Sequence, residues 1–279
     1  MALTCFGSLL DCCSRPIRLV LHDDGTLTAD DVGRLKEQLR NAVIFSRSES
    51  DELSSRLLTA YPNCRNFRAE NVMALKLLDL AMFNEPEIAY CDSDIFFFRP
   101  FQGLFEFPDV ETSALFMQDT RHAYSLRPWH LCGRDRVKIV GKLNAGLMFV
   151  KKEIVDLDFI EWLLANERLK PQFRRKPCWA EQTCWAALAY RTKCRFWDSD
   201  QVAVITHNFL GENQLVAGHF TSPVRHLMAR IPDRVVSDEP IVTIRTVACK
   251  PLMPLTLAGE RLADRLLRAW KRCSMQCES

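Results

Sequence analysis

The segment Glu87 to Phe101, Glu-Ile-Ala-Tyr-Cys-Asp-Ser-Asp-Ile-Phe-Phe-Phe-Arg-Pro-Phe, sets two carboxylates, Asp92 and Asp94, at the mouth of an otherwise apolar run. Ile88 to Cys91 reads as a buried strand, and Ile95 to Phe98 as a second apolar segment. Acids between two such segments cost desolvation energy unless a cation or hydrogen-bond donors compensate. With one residue between them and a sharp turn, both side chains can aim at one place, where they repel unless a divalent ion sits between them. The chemistry suggested is a metal ion shared with a phosphate. A second Asp-Ser-Asp, residues 198 to 200, follows Arg195-Phe196-Trp197. No four-residue apolar strand is read before it, so it is assigned to a turn.

The elements around the acids can be read from periodicity and punctuation. Ile17 to His22 is a short apolar strand ending in Asp23-Asp24-Gly25, and Thr28 is an N-cap for a helix over 29–40. Asn41 to Ser46 reads as a strand. A helix is expected over Ala69 to Phe83, with Met73, Leu77, Leu80 and Met82 or Phe83 inward, leading through Pro86 into the strand before Asp92. This alternation predicts an α/β fold with a mostly parallel sheet and helices on both faces. Beyond Pro100 come a strand at Ser113 to Gln118, an irregular basic stretch to Lys142, and a strand at Leu143 to Val150. Helices follow at 155–166 and 180–190, then a strand near 202–206. Residues 207–226 carry three histidines, and an extended segment lies near 241–247. No repeat or long linker interrupts the chain, so one domain is expected over 1–255.

Residues 256–279 form a basic helix and tail. Over Leu257 to Arg272, Leu262, Leu266 and Trp270 alternate with Arg261, Arg265, Arg268 and Lys271. Such a helix either docks on the domain with a solvated charged face, the plainer reading, or touches an anionic membrane surface. The second reading predicts only weak liposome binding, abolished by deletion at 256.

With 279 residues, 48% hydrophobic and 26% charged, the composition is that of a globular protein, and a net charge of +2 with interspersed signs gives no case for nucleic acid. Twelve cysteines occur, but no Cys-x-x-Cys pair, so neither a disulfide framework nor a zinc site is indicated. The sequence opens without a charged segment followed by a long apolar stretch, and no run reaches the roughly 20 residues that span a bilayer. A cytoplasmic protein with reduced thiols is the expectation.

Six pieces taken together resemble the nucleotide-sugar-dependent glycosyltransferases of the GT-A type, near bacterial members of the glycogenin and galactosyltransferase group. They are Leu19 to Leu27, Ala74 to Asp79, Ala89 to Phe98, Leu143 to Val150, Ala180 to Thr183 and His219 to His226, in the family's order. The resemblance implies a single Rossmann-like domain and transfer of a sugar from a nucleoside diphosphate sugar donor to the hydroxyl of an unidentified sugar or glycoconjugate acceptor. It implies that Asp92, Asp94 and His219 hold Mn²⁺ or Mg²⁺, the nitrogen ligand leaning towards Mn²⁺. Lys76, Arg225 and Arg68 would neutralise phosphate oxygens. Asn144 and the Gly146 backbone would line the sugar pocket, with Glu181 and Gln182 approaching the sugar or acceptor hydroxyl and Asp24 the nucleoside. An inverting reaction would take Glu181 or Asp119 as its base, whereas a retaining one needs none. The nucleotide-binding strand that opens the family's fold would have to be short or missing here.

Several of these residues have plainer explanations. Lys76 and Arg68 can be solvated helix residues, Asp23 and Asp24 turn formers, Glu181 a favourable charge at a helix start, and His219 a hydrogen-bonded interior histidine. Turn formation accounts for one acid at 92–94 but not for two. The rival functions are a non-catalytic binding or scaffold relative and a haloacid-dehalogenase-like phosphatase. The phosphatase motif wants Thr or Val where Phe96 stands. A sugar nucleotidyltransferase fits worst, for want of a Gly-rich phosphate loop near the N-terminus.

Overall fold

A computed structural model describes residues 1–39, 41–134, 136–206, 214–231 and 240–277. His207, one of the three histidines read in 207–226, lies outside the described residues. In chain order the elements are α1 (Ala2–Cys12), β1 (Val20–His22), α2 (Ala29–Gln38), β2 (Val43–Phe45), α3 (Arg47–Leu57), α4 (Pro62–Glu70), α5 (Leu75–Leu78), β3 (Glu87–Cys91), β4 (Ile95–Phe97), β5 (Phe101–Gln102), β6 (Ala114–Gln118) and β7 (Leu143–Lys151). Then follow α6 (Leu157–Ala165), α7 (Lys170–Arg175), α8 (Ala180–Tyr190), β8 (Cys194–Trp197), β9 (Val202–Val204), β10 (Ala217–His219), α9 (Arg225–Met228), β11 (Val242–Thr243), β12 (Thr246–Ala248) and α10 (Pro254–Cys277).

Local chemistry explains several boundaries. Thr28 caps α2 in a reciprocal box with Asp31, and Ser46 caps α3 in the same way with Glu49, each box worth about 1 kcal/mol. The single helix expected over Ala69 to Phe83 is instead three pieces. Asn71 ends α4 in an extended conformation, and its side chain caps a 3₁₀ turn at Val72–Ala74. The short α5 and a second 3₁₀ turn at Asp79–Met82 follow.

The α/β class holds, with eight strands in one sheet. Its principal path runs β12-β8-β6-β9-β10-β4, with β7 on β6 and β3 on β7. The sheet is mixed rather than mostly parallel. Strand β7 is nine residues long and pairs antiparallel with both β3 and β6, and β10 pairs antiparallel with β4, while β6-β8, β6-β9 and β9-β10 are parallel. Strands β1 and β2 belong to a separate parallel pair, over a small cluster of Leu21, Leu35 and Leu39. Strand β3 is not the buried strand the sequence suggested. It is a sheet edge, with Glu87 and Ala89 exposed and the others half-buried.

Side chains alternate across the sheet as the pleat requires. Ala114 and Phe116 of β6 with Met148 and Val150 of β7 face α4, α6 and α8, whereas Leu115, Met117, Leu147 and Phe149 face the core that α1 shares. Helix α1, unassigned in the sequence, lies against β4, where Phe97 N–H donates to Ser8 Oγ at 3.1 Å.

One topological fact fixes where the acids sit. Strands β3 and β4 are separated in sequence by Asp92-Ser93-Asp94 alone, yet they end opposite sides of the path β3-β7-β6-β9-β10-β4. Five strand spacings in a flat sheet would put them about 24 Å apart. The four Cα steps from Cys91 to Ile95 reach only about 14 Å. The sheet therefore curls until its two ends meet at the acids.

Helix α10 docks through its first turns. Leu257 is fully buried, Glu260 pairs with His122, and Arg261 donates to the carbonyl of Tyr124 at 3.0 Å. Leu262 and Leu266 are exposed, and no described helix is long and apolar enough to cross a membrane.

Candidate functional site

The curl brings three strand ends together. Asp92 N–H donates to the Gly146 carbonyl of β7 at 2.7 Å, and Phe220 N–H, just beyond β10, donates to the Asp94 carbonyl at 2.8 Å. His219, the last residue of β10, pairs with Ile95. One carboxylate oxygen each from Asp92 and Asp94 and a ring nitrogen of His219 lie within 4.8 Å of one another. Asp94 and His219 are 5% and 6% exposed, so these groups are held out of water. The three residues proposed as metal ligands are thus brought together.

Their orientation is set by Asn144. The Gly146 N–H donates to Asn144 Oδ1 at 2.9 Å, which identifies that atom as the oxygen. The same oxygen lies 3.0 Å from His219 Nδ1, so Nδ1 carries the proton and donates. Nε2 then faces Asp94 Oδ1 at 3.0 Å and Asp92 Oδ2 at 3.9 Å. A bare lone pair facing a carboxylate oxygen at that distance is unfavourable, so the contact calls for a proton or a cation between them. Two carboxylates and one imidazole nitrogen are a donor set that could hold a divalent metal ion.

Gly146 is where the backbone comes closest. The register between β6 and β7 jumps from Phe116/Met148 to Met117/Asn144, leaving residues 145–147 without partners on that side. Irregularities of this kind re-aim side chains beside sites. A Cβ at 146 would run into Cε1 of His219, and would lie 2.5 Å from its Nδ1 and 2.9 Å from Asn144 Oδ1.

Protein cations also meet the acids. Arg225 donates to Asp94 Oδ2 from Nη2 at 2.6 Å and from Nε at 3.1 Å. Burial pushes the Asp94 carboxyl up, but His219 and Arg225 outweigh it and hold it below the usual carboxylate range. Lys76 is buried, with Nζ 3.3 Å from Asp92 Oδ2 and 3.6 Å from Glu181 Oε2. Burial disfavours its charge, yet the two carboxylates raise it to about 12. Glu181 is 1% exposed, and its Oε1 has no hydrogen-bond partner. Burial, reinforced by Asp92, raises it to about 7 against the pull of Lys76, because one ammonium serves two acids.

That shift has a measurable sign. A carboxyl raised from 4.5 to about 7 gives the fold stability that is complete below pH 4.5 and lost as pH rises through 7, about 3 kcal/mol in all. In chelator, Glu181→Gln is therefore expected to gain about 3 kcal/mol on the parent between pH 4.5 and pH 8 in urea unfolding. A difference that stays flat with pH would refute this.

Asp119, just beyond β6, is half-buried, and its Oδ2 accepts from Asn144 Nδ2 at 3.2 Å and from Gln182 Nε2 at 3.5 Å. Gln182 also reaches the Ala123 carbonyl at 3.1 Å. Asp119, Asn144, Gly146 and Gln182 thus form one connected wall beside His219.

Two sequence candidates are engaged elsewhere. Asp24 is exposed, and its Oδ1 accepts from Thr26 N–H and Oγ1 at 3.1 and 2.6 Å. Arg68 is buried against Asp79, with Nε–Oδ1 at 2.6 Å and Nη2–Oδ2 at 2.9 Å, and it also meets Asp51 and Ser50. Asp198 holds its own turn through Asp200 N–H and pairs with Arg245, although a strand, β8, does precede it.

The sequence reading passed over Tyr90, whose hydroxyl donates to Asp92 Oδ1 at 2.8 Å. The signal was present, because residues two apart on a strand share a face. It also passed over Asp79, which accepts from Arg68 and lies 2.8 Å from His22 Nε2.

No protein-family model and no curated protein matches the chain. Solved structures do match. Mouse xyloside xylosyltransferase 1, in its apo form, gives a TM-score of 0.51 at 13% identity, covering 80% of this chain and 92% of that one. The galactosyltransferase LgtC in complex with donor and acceptor sugar analogs gives 0.46 at 11% identity, covering 81% and 82%. The first of these carries the assignment: the chain has the fold of a GT-A glycosyltransferase.

Proposed function

We propose that the protein is a metal-dependent glycosyltransferase, moving a sugar from a nucleoside diphosphate donor to a hydroxyl of a sugar or glycoconjugate acceptor. The observation that carries this is the convergence of Asp92, Asp94 and His219, with the Nδ1 proton of His219 committed to Asn144. Those three residues would hold Mn²⁺ or Mg²⁺. A bound divalent ion offsets the negative charge that develops on a departing diphosphate.

The chain's own residues do the remaining work. Tyr90 and Lys76 fix Asp92 from two sides. Arg225, 44% exposed, would meet a phosphate oxygen from its solvent side while holding Asp94. Asn144, the Gly146 backbone and Gln182 face the donor sugar. For an inverting transfer Asp119 is the better base, since its carboxylate is half-exposed whereas that of Glu181 is enclosed beside Lys76. A reducing compartment, the cytoplasm, suits a chain in which none of the ten cysteines with described side chains forms a disulfide.

The deciding experiment is thermal stabilisation across a panel of UDP-, GDP- and dTDP-sugars, with and without Mn²⁺. A Mn²⁺-dependent shift for one donor is the expected result. If no donor shifts the protein under either condition, the scaffold function takes its place. Phosphate release from small phosphomonoesters that is lost in Asp92→Asn would favour the phosphatase. Within this proposal, Asn144→Ala releases the ring of His219 and is expected to weaken Mn²⁺ about 10- to 100-fold, read by calorimetry. Unchanged affinity would show that Asn144 orients nothing.

A further inference from the structure

The segment after β6, helix α7 and helix α10 line a cavity of about 190 Å³ that none of Asp92, Asp94 and His219 lines. Its wall carries six cations from three separate stretches of chain: Arg127, Arg175, Lys176, Arg261, Arg265 and Arg268. Among the described residues no carboxylate lines it. The hydrogen bonds these cations make go to neutral oxygens. Arg127 Nε donates to Gln172 Oε1 at 3.3 Å, Arg261 to the Tyr124 and His122 carbonyls at 3.0 and 3.4 Å, and Arg268 to the Asp264 carbonyl at 3.1 Å. Glu260, next to Arg261, is taken by His122.

A solvated basic surface would spread such charges apart. Here Arg127, Lys176 and Arg261 are half-buried, and Lys176 and Arg261 share the ring of Trp179, at 3.7 and 5.2 Å. The crowding is felt by the groups themselves. Burial, with Arg261 and Arg127 adding to it, pushes Lys176 down to about 8, and burial with Arg175 and Arg265 lowers Arg127.

We propose that this cavity is a second ligand site, which takes the anionic phosphate or sulfate group of a ligand separate from anything bound at Asp92 and Asp94. Five guanidinium forks match the paired oxygens of a tetrahedral oxyanion. The volume limits the occupant, because pockets for whole drug-sized ligands run to about 300–1,000 Å³. A phosphoryl or sulfuryl group fits, while a nucleotide sugar does not.

The test is calorimetric titration of the full chain, in chelator, with inorganic phosphate, glucose 6-phosphate and glucose 6-sulfate. Saturable binding is expected for at least one of them. Arg127→Gln with Arg265→Gln should weaken it by about tenfold or more, and Arg265→Gln alone, at an exposed position, by less. Arg225→Gln, beside Asp94, should leave it unchanged. Urea unfolding of each variant without ligand confirms that the fold is intact. Tighter binding of a sugar ester than of inorganic phosphate makes an anionic saccharide the source, and equal binding makes it the free ion. Absence of saturable binding, indifference to both arginine variants, or loss in Arg225→Gln would overturn the site.

Discussion

Gly146→Ala is expected to abolish the stabilisation by Mn²⁺ and donor while costing the fold about 1–3 kcal/mol. The residue sits in β7, where nothing about its backbone demands glycine, so what it supplies is room. The added methyl would occupy space held by the His219 ring and the Asn144 amide oxygen, and neither can yield cheaply. His219 is fixed by Asn144 on one nitrogen and faces Asp94 on the other, and Asn144 is tied to Gly146 N–H and to Asp119. Moving the ring therefore disturbs the donor set and its supports together. Thermal shift with and without Mn²⁺, alongside urea unfolding in chelator, separates the two effects. An alanine variant that keeps its metal response would mean that the imidazole does not belong to the ligand set.

The largest effect on stability is expected at Arg68. Its guanidinium makes a two-pronged contact with Asp79, which is 1% exposed, and burial is outweighed by Asp79 and Asp51 in setting its raised pKa. Arg68→Met leaves that carboxylate enclosed beside His22, and removing one partner of a buried pair costs about 3–5 kcal/mol. Replacing both, as Arg68→Met with Asp79→Leu, should restore most of the loss. Urea unfolding of the single and double variants reads this directly. A single variant within about 0.5 kcal/mol of the parent would make the pair a surface contact in energetic terms.

Arg68 also illustrates what sequence can and cannot show. The resemblance implied a phosphate ligand at Arg68, and nothing in the spacing revealed that the acid eleven residues later would pair with it. By contrast, β7 and α8 were legible because a continuous apolar run and a dense apolar helix leave few alternatives. The two acids were legible as chemistry, since only a cation or donors make two carboxylates tolerable between apolar segments, whereas His219 entered only through the family resemblance. The mixed sheet was not, because alternation of strands and helices does not say that a nine-residue strand will fold back on both neighbours. Helix α3 was missed despite its Ser46-to-Glu49 box, a signal that stood in plain view. The broken helix at 72–82 was missed because periodicity cannot see that Asn71 caps a 3₁₀ turn.

The curl of the sheet has a consequence for how the site comes into being. Asp92-Ser93-Asp94 acts as a clasp that fastens the first and last strands of the path, so closing the ring and assembling the ligand set are the same event. His219 comes from a distant part of the chain, and joining it to the paired acids carries the entropy of closing a long loop. A partly folded protein accordingly offers a metal the two acids without the imidazole. Any ion seated there would act as a rivet, slowing the opening of both edges at once.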